Sequence, residues 1–283
     1  MIHLVWCLLT VSAAASLCYV LRGILNQLTV TAEDSPSTIR LLYDEFAGNF
    51  VCAIALQEIF VVTFAEHSLS LFFTATYIVL FLRNIYFVYF ELYETPLIFI
   101  DLYYGCGREH RFSTLHVLTV LFVQGIACVC GHVFVRTVWP NLDAIHQAAI
   151  REGCLTTISH IHSWYECFAL EMLGTFACTI FDFQMPVNAK PFTRPLLLCL
   201  ALHYFGHVTG AWMNPMLASA FTFRCHGHDS DFMHFVVFWI APVAGFALAW
   251  EVHLFFKRLF DISKNVEEST TDSASNATKD KVE

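Results

Sequence analysis

An asparagine and a proline stand together inside an apolar stretch, "HVTGAWMNPMLASAFTFRC" at residues 207–225. The side-chain oxygen of Asn214 can accept a backbone N–H and cap a helix, and Pro215 suits the first helical turn. The amide of Asn214 can also donate a hydrogen bond. We therefore expect a short helix beginning at Pro215, with Asn214 and Met216 at its tip. Irregular backbone at membrane depth persists only where protein or water surrounds it, so this step indicates a pore.

A second step, "ETPL" at residues 94–97, also places a capping residue before a proline. Thr95 can cap a helix, but its single hydroxyl cannot reproduce the two donors of an amide. We expect a second short helix beginning at Pro96, with Leu97 in the third place of the motif. A simple turn at Thr95 and Pro96 is the alternative interpretation.

The composition predicts an integral membrane protein. The 283 residues are 57% hydrophobic and 14% charged, whereas soluble domains are about one quarter charged. The polar tail at 264–283 contributes to the net charge of −9 and is expected to be disordered. An acidic chain without a basic face argues against nucleic-acid binding. Most of the 11 cysteines lie in apolar runs and are expected to be reduced, with Cys154 as the best exception.

Seven hydrophobic segments approach the length of about 20 residues that a membrane-spanning helix needs. They cover residues 2–24, 42–65, 69–90, 114–137, 164–184, 193–212 and 232–256. Shorter apolar pieces follow Pro96 and Pro215, and these are candidates for half-helices that enter the bilayer and return.

The distribution of lysine and arginine predicts the orientation of these segments. When the link at 25–41 faces the cytosol, most of these residues fall on the cytosolic side, as the positive-inside rule requires. The first segment is then an extra N-terminal helix, although a cleaved signal peptide is the alternative. The predicted organisation is 1–41 as this helix and its link, 42–263 as the main membrane domain and 264–283 as the tail.

The main domain contains a weak internal repeat. "EFAGNF" at 45–50 and "EMLGTF" at 171–176 share Glu, Gly and Phe, and each precedes one of the proline steps. An odd number of spans per half would invert the second repeat (about 164–256) relative to the first (about 42–137). Carboxylates in lipid are costly and need polar partners, so we expect Glu45 and Glu171 to accept hydrogen bonds from the irregular loops. Hydration at the interface is the alternative for both.

These features together resemble the aquaporin superfamily. The resemblance rests on the two Glu-Gly-Phe segments, the Asn214 loop, Gln124, and "WIAPVAGFALAW" at 239–250. It is most similar to the superaquaporin branch, the aquaporin 11 and 12 group, which has a deviant first box and a cysteine beyond the second, here Cys225. The resemblance implies a right-handed bundle of six transmembrane helices plus two re-entrant half-helices from inverted repeats. It also suggests a role for Cys225 in assembly; a buried small residue is the alternative.

The resemblance also assigns a selectivity constriction. The position that carries an arginine in orthodox members is Leu217 here, and Ala211 matches a small lining residue of the family. The histidine of water-selective members falls at Leu202, with His203 adjacent. Loss of a fixed cation and its donors predicts an apolar constriction that admits uncharged solutes larger than water.

The predicted function is a channel, not an enzyme, for water and small neutral solutes such as glycerol or hydrogen peroxide, with no cofactor and no metal. The resemblance implies a homotetramer in an intracellular membrane such as the endoplasmic reticulum, with the plasma membrane as the alternative. Two other functions stay open: a scaffold with little conduction, or a histidine-rich membrane metalloenzyme. The last would use His203 and His207, four residues apart, with Glu171 and the "HIH" and "HGH" segments at 160–162 and 226–228.

Overall fold

A computed structural model describes residues 2–28, 38–65, 69–87, 95–97, 100, 114–152, 162–186, 188–225 and 230–259. These residues form helices and turns, with no strand among them. The nine helices named here are α1 (Ile2–Leu28), α2 (Thr38–Ala65), α3 (Leu69–Phe87), α4 (Thr114–Val138), α5 (Ala144–Glu152), α6 (Trp164–Gln184), α7 (Lys190–Thr209), α8 (Pro215–Thr222) and α9 (Asp231–Leu259).

The seven long helices follow the predicted hydrophobic segments closely. The predicted segment 193–212 is too long at its end, because α7 stops at Thr209, where Gly210 adopts a left-handed conformation with φ 88°. Helices commonly end at such a glycine. The short helix α5 was not predicted. The predicted tail lies outside the described part of the chain, and only Leu97 and Ile100 are described where a helix was predicted after Pro96.

Among the described residues, three helical stretches are long and apolar enough to cross a membrane: Ile2–Gln27, Thr114–Asn141 and Asp231–Leu259. A shorter apolar stretch, Phe72–Ile85, lies in α3. The outward face of α4 exposes large apolar side chains, with Leu115 74% and Phe122 68% accessible. Contiguous apolar exposure of this kind suits contact with lipid. The fold is that of an all-α membrane protein.

The N-terminal helix α1 is built into the bundle through α2 and α3. Its inner face buries Cys7, Val11 and Ala15 in the main core. Arg22 donates two hydrogen bonds to the carboxylate of Asp44, both 2.8 Å long, and the Tyr43 hydroxyl donates to the Cys18 carbonyl at 2.7 Å. Burial of this polar contact between α1 and α2 fixes the register of the two helices.

Two glycines allow close helix crossings. A Cβ on Gly131 of α4 would lie 2.7 Å from the Ala53 Cβ and 2.9 Å from the Phe50 carbonyl oxygen of α2. A Cβ on Gly245 of α9 would lie 2.2 Å from the Met172 carbonyl oxygen of α6. Small residues let membrane helices approach at their backbones.

We expect Gly245→Ala to destabilise the protein by about 1–3 kcal/mol, because the added methyl group meets a backbone carbonyl that cannot rotate away. Thermal unfolding in detergent measures the effect. Gly23→Ala in α1 is the matched control, since a Cβ there meets nothing within 4 Å. That control should be neutral or slightly stabilising, and equal melting temperatures for the two variants would contradict the prediction.

A π-helical turn at Val236–Ile240 lies inside α9, just before Pro242. A proline in a helix removes one backbone donor and crowds the carbonyl four residues earlier. The wider turn accommodates that crowding. It also directs the Trp239 indole N–H to the Ser219 hydroxyl of α8, at 2.9 Å.

Candidate functional site

Glu171 of α6 is fully buried and organises the loop between α7 and α8. One carboxylate oxygen accepts hydrogen bonds from the Thr209 hydroxyl (2.6 Å) and the Trp212 backbone N–H (3.1 Å). The other accepts from the Met213 N–H at 2.8 Å. Sequence reasoning expected a backbone partner for this carboxylate, but it did not single out Thr209 or Trp212.

The loop that Glu171 binds has a strained backbone. Ala211 and Met213 have φ values of 50° and 48°, in the left-handed region that favours glycine. Each such residue costs roughly 1–3 kcal/mol and persists only where its surroundings hold it. The Glu171 carboxylate supplies that restraint, because it accepts hydrogen bonds from the backbone N–H groups of Trp212 and Met213. The loop is therefore held in one conformation just before Asn214.

Asn214 caps the short helix α8. Its side-chain oxygen accepts from the N–H groups of Met216 (3.0 Å) and Leu217 (3.4 Å), and Pro215 occupies the first helical position. This cap satisfies two of the donors that a helix start leaves unpaired. The short helix begins at the residue where the Asn-Pro pattern indicates.

Aromatic contacts attach α8 and its loop to helices of the first half. The Trp212 ring lies 5.4 Å from Phe60 of α2, and Phe221 lies 5.4 Å from His132 of α4, measured between ring centroids. The Ser219 hydroxyl of α8 lies 3.3 Å from His234 Nε2 as well as bonding Trp239. A helix of eight residues is thereby held from both sides.

The first proline step has a related but weaker arrangement. Thr95 to Leu97 form a turn, and the Leu97 N–H lies 3.5 Å from the Thr95 hydroxyl oxygen. Gln124 of α4 donates to Glu45 at 2.9 Å, and the same amide nitrogen lies 3.4 Å from the Thr95 carbonyl oxygen. Gln124 thus connects Glu45 to this step. Ile100 is helical again, and residues 101–113 lie outside the described part of the chain.

The two proline steps pack across the halves and meet neighbouring residues of α4. Leu97 and Ile100 form a buried cluster with Trp250 of α9, against which Phe183 of α6 packs. Gln124 contacts the first step, while a Cβ on the adjacent Gly125 would lie 3.7 Å from the Met216 sulfur of the second step. Each step therefore lies against helices of the opposite half, and both lie beside one turn of α4.

The residues predicted to form the constriction lie in two parts of the structure, the loop that leads into α8 and the helix α7. Ala211 and Leu217 are both 3% exposed and lie in the Glu171 loop and in the first turn of α8. Leu202 and His203 are half-buried on α7, where the His203 ring contacts Tyr204 at 5.0 Å. Leu202 packs against the main core. The loop brings Ala211, Asn214 and Leu217 together.

The described cysteines divide into free thiols and one disulfide. Eight are free, among them Cys52, Cys128, Cys178 and Cys199, as expected for apolar runs. Cys225 is disulfide-bonded. Cys225 is also 6% exposed, so it is a buried small residue as well as a disulfide partner. A role for Cys225 in assembly stays a prediction. Cys154, the predicted exception, lies outside the described residues.

The residues proposed for a metalloenzyme do not gather. Within the described ranges, His203, His207 and Glu171 join no group of three possible metal ligands. Most of the "HIH" and "HGH" segments lies outside those ranges. The group that could hold an ion consists of Cys7, Glu58 and His146, none of which the sequence pattern indicated.

No family model matches the chain. Two curated human proteins, provisionally named aquaporin-12A and aquaporin-12B, are each 33% identical to it over 162 residues. The match covers 55% of this chain and 45% of each relative. These relatives support the aquaporin superfamily, in its superaquaporin branch. The resemblance predicted from the Asn214 loop is thus confirmed.

The chain spans about half the length of the curated relatives it matches, at 45%. Sequence similarity at this level supports a membrane protein of aquaporin type.

Proposed function

We propose that this protein is a membrane channel for the passive passage of water and small neutral solutes, built around two re-entrant steps at Thr95–Leu97 and Asn214–Leu217. The observation that carries the proposal is the capped short helix α8, whose loop is restrained by the buried Glu171 carboxylate. A soluble or purely structural helical bundle has no need for a strained polar loop in its interior.

Asn214 supplies the chemistry for recognising water. Its oxygen accepts the N–H groups of α8, and its amide nitrogen is the donor that a passing solute would meet. The positive end of the α8 dipole points the same way and disfavours cations. Thr95 would provide a single hydroxyl on the opposite step, so the paired amide donors of orthodox aquaporins become one amide and one hydroxyl.

The constriction we propose is lined by Ala211 and Leu217 with Leu202 and His203. An apolar Leu217 in place of arginine removes a fixed charge and its hydrogen-bond donors. Such a constriction would admit neutral molecules larger than water, with glycerol and hydrogen peroxide as the candidates. A second candidate function is a scaffold of aquaporin fold with little conduction. Leu217 is buried and apolar, and an apolar constriction can lose its water and stop conducting.

Reconstituted vesicles distinguish the two functions. We expect the protein to raise osmotic water permeability several-fold over empty liposomes in stopped-flow light scattering. Asn214→Ala should lose the cap, costing about 1–2 kcal/mol of stability, and should lower the flux. Asn141→Ala, in the exposed turn after α4, is the matched control and should leave the flux unchanged. Permeability equal to that of empty liposomes would leave the scaffold as the function.

We further propose a tetramer in an endomembrane such as that of the endoplasmic reticulum, as the family resemblance implies. The disulfide at Cys225 supports an oxidising environment on that side of the membrane. Lysine and arginine bias puts the same loop on the non-cytosolic face. Enzymatic activity forms no part of this proposal.

A further inference from the structure

Three side chains that can bind metals meet between α1, α2 and α5. They are the Cys7 thiol, the Glu58 carboxylate and the His146 imidazole, all buried, and their nearest ligand atoms lie within 4.8 Å of one another. The His146 Nε2 atom lies 3.1 Å from a Glu58 oxygen and 3.9 Å from the Cys7 sulfur. Sulfur, nitrogen and oxygen donors therefore converge on one point from three separate helices.

The two separations from His146 Nε2 are close to those around a tetrahedral ion. With zinc bond lengths of about 2.3 Å to sulfur and about 2.0–2.1 Å to nitrogen and oxygen, tetrahedral angles give roughly 3.6 Å between sulfur and nitrogen and roughly 3.4 Å between nitrogen and oxygen. The observed distances differ from these by a few tenths of an ångström. Small side-chain rotations would therefore be enough to close the site around an ion.

The surrounding groups orient each ligand as the outer contacts of a metal site do. Asp143 Oδ1 lies 2.8 Å from His146 Nδ1, so this nitrogen carries a proton and donates it. The Trp139 indole N–H donates to the other Glu58 oxygen at 2.9 Å. The imidazole is thereby fixed with Nε2 toward Cys7 and Glu58, and the carboxylate is fixed with one oxygen turned toward the same point.

A cation is needed between His146 and Glu58. A neutral imidazole that donates from Nδ1 has a lone pair on Nε2, and this would face a carboxylate oxygen at 3.1 Å. Either a proton or a metal ion can supply the positive charge there. The nearby Cys7 sulfur adds a ligand that a proton would not require.

We propose that Cys7, Glu58 and His146 form a zinc site that fastens the N-terminal helix to the rest of the bundle. Zinc accepts mixed sulfur, nitrogen and oxygen ligands without a geometric preference of its own. On binding, the Cys7 thiol proton and the proton held between His146 Nε2 and Glu58 are both released to solvent, so that Cys7 would coordinate as thiolate and His146 through its unprotonated Nε2. The fourth position takes a water molecule. Asp143 is a positioning residue that acts through His146.

The site is separate from the proposed pore. It uses the start of α1, the end of α2 and the segment after α4, and none of its residues belongs to the Asn214 loop. Because its ligands are buried and come from three elements, bound metal would stabilise the assembled bundle over the unfolded chain. Loss of the ion is therefore expected to loosen α1 without blocking solute flux directly.

Metal content and cobalt spectroscopy test the proposal. The full chain is purified in detergent, loaded with zinc and then dialysed without chelator. It should retain one zinc per chain by elemental analysis. Cobalt substitution should give a thiolate-to-metal charge-transfer band. Cys7→Ser should lose the band and most of the zinc, while Asp143→Asn should weaken zinc affinity about 10- to 100-fold. Cys18→Ser, a buried free thiol on the same helix, is the matched control and should retain both.

Other outcomes would overturn the proposal. Zinc retention that is the same in the wild type and in both Cys7→Ser and Asp143→Asn would show that the metal binds elsewhere. A folded wild-type protein that takes up neither zinc nor cobalt would show that His146 carries a proton in a hydrogen-bonded cluster. Should Cys7→Ser fail to fold, the cobalt spectrum of the wild type and the zinc affinity of Asp143→Asn still decide whether these residues bind the metal.

Discussion

Replacing Glu171 with leucine is expected to cost about 3 kcal/mol or more and to abolish solute flux. The carboxylate accepts hydrogen bonds from the Thr209 hydroxyl and from two backbone N–H groups, at Trp212 and Met213. Each buried donor left without an acceptor costs about 1–3 kcal/mol. The strained loop before Asn214 would lose its restraint at the same time, so stability and flux should fall together.

A graded series separates this effect from a general loss of packing. Glu171→Gln keeps one acceptor oxygen and introduces an amide donor that faces a backbone N–H, so it should fall between the wild type and Glu171→Leu. Glu166→Gln, near the exposed start of the same helix, should change melting temperature and flux little. Thermal unfolding in detergent and flux in vesicles are the measurements. A leucine variant with wild-type flux would refute the restraint by Glu171.

Breaking the pair between Arg22 and Asp44 is expected to cost about 3–5 kcal/mol, because the buried guanidinium would lose its carboxylate partner. The side chains are 10% and 1% exposed, and both hydrogen bonds are 2.8 Å long. Asp44→Ala should therefore lower the melting temperature in detergent by far more than removing an exposed pair. Arg224→Ala provides that comparison, since Arg224 and Asp231 are 69% and 50% exposed.

A double variant tests whether charge burial is the cause. Arg22→Met combined with Asp44→Leu removes both charges and fills a similar volume, and such replacements are often neutral. We expect the double variant to be more stable than Asp44→Ala. If the double variant is less stable than Asp44→Ala, packing and not the loss of the carboxylate partner explains the loss of stability.

The apolar segments and the local cap were predictable because they depend on neighbours in sequence. Long hydrophobic runs predict helices, and α1, α2, α4 and α6 begin and end within a few residues of the prediction. The Asn-Pro order predicts a helix start, since the cap of α8 links Asn214 only to residues two and three positions later. Propensity and capping act over a few residues.

Contacts between distant residues were only partly predictable. The repeated Glu-Gly-Phe pattern indicated that Glu45 and Glu171 would bind the loops. It could not indicate the side-chain partners, such as Thr209 beside Glu171 and Gln124 beside Glu45. Those partners depend on which side chains the packed helices bring within reach, and the separate sequence segments do not encode this.

The amino-acid sequence by itself determined the membrane class, the long helices, the capped start at Pro215 and the aquaporin resemblance. Each of these depends on local composition or on a contiguous motif. Tertiary structure alone decided which residues meet across the bundle. Cys7, Glu58 and His146 are isolated in the sequence, yet helix packing brings their ligand atoms within 4.8 Å. The physical reason is that helix propensity fixes each helix separately, whereas the crossings that Gly131 and Gly245 permit set which faces of the helices come together.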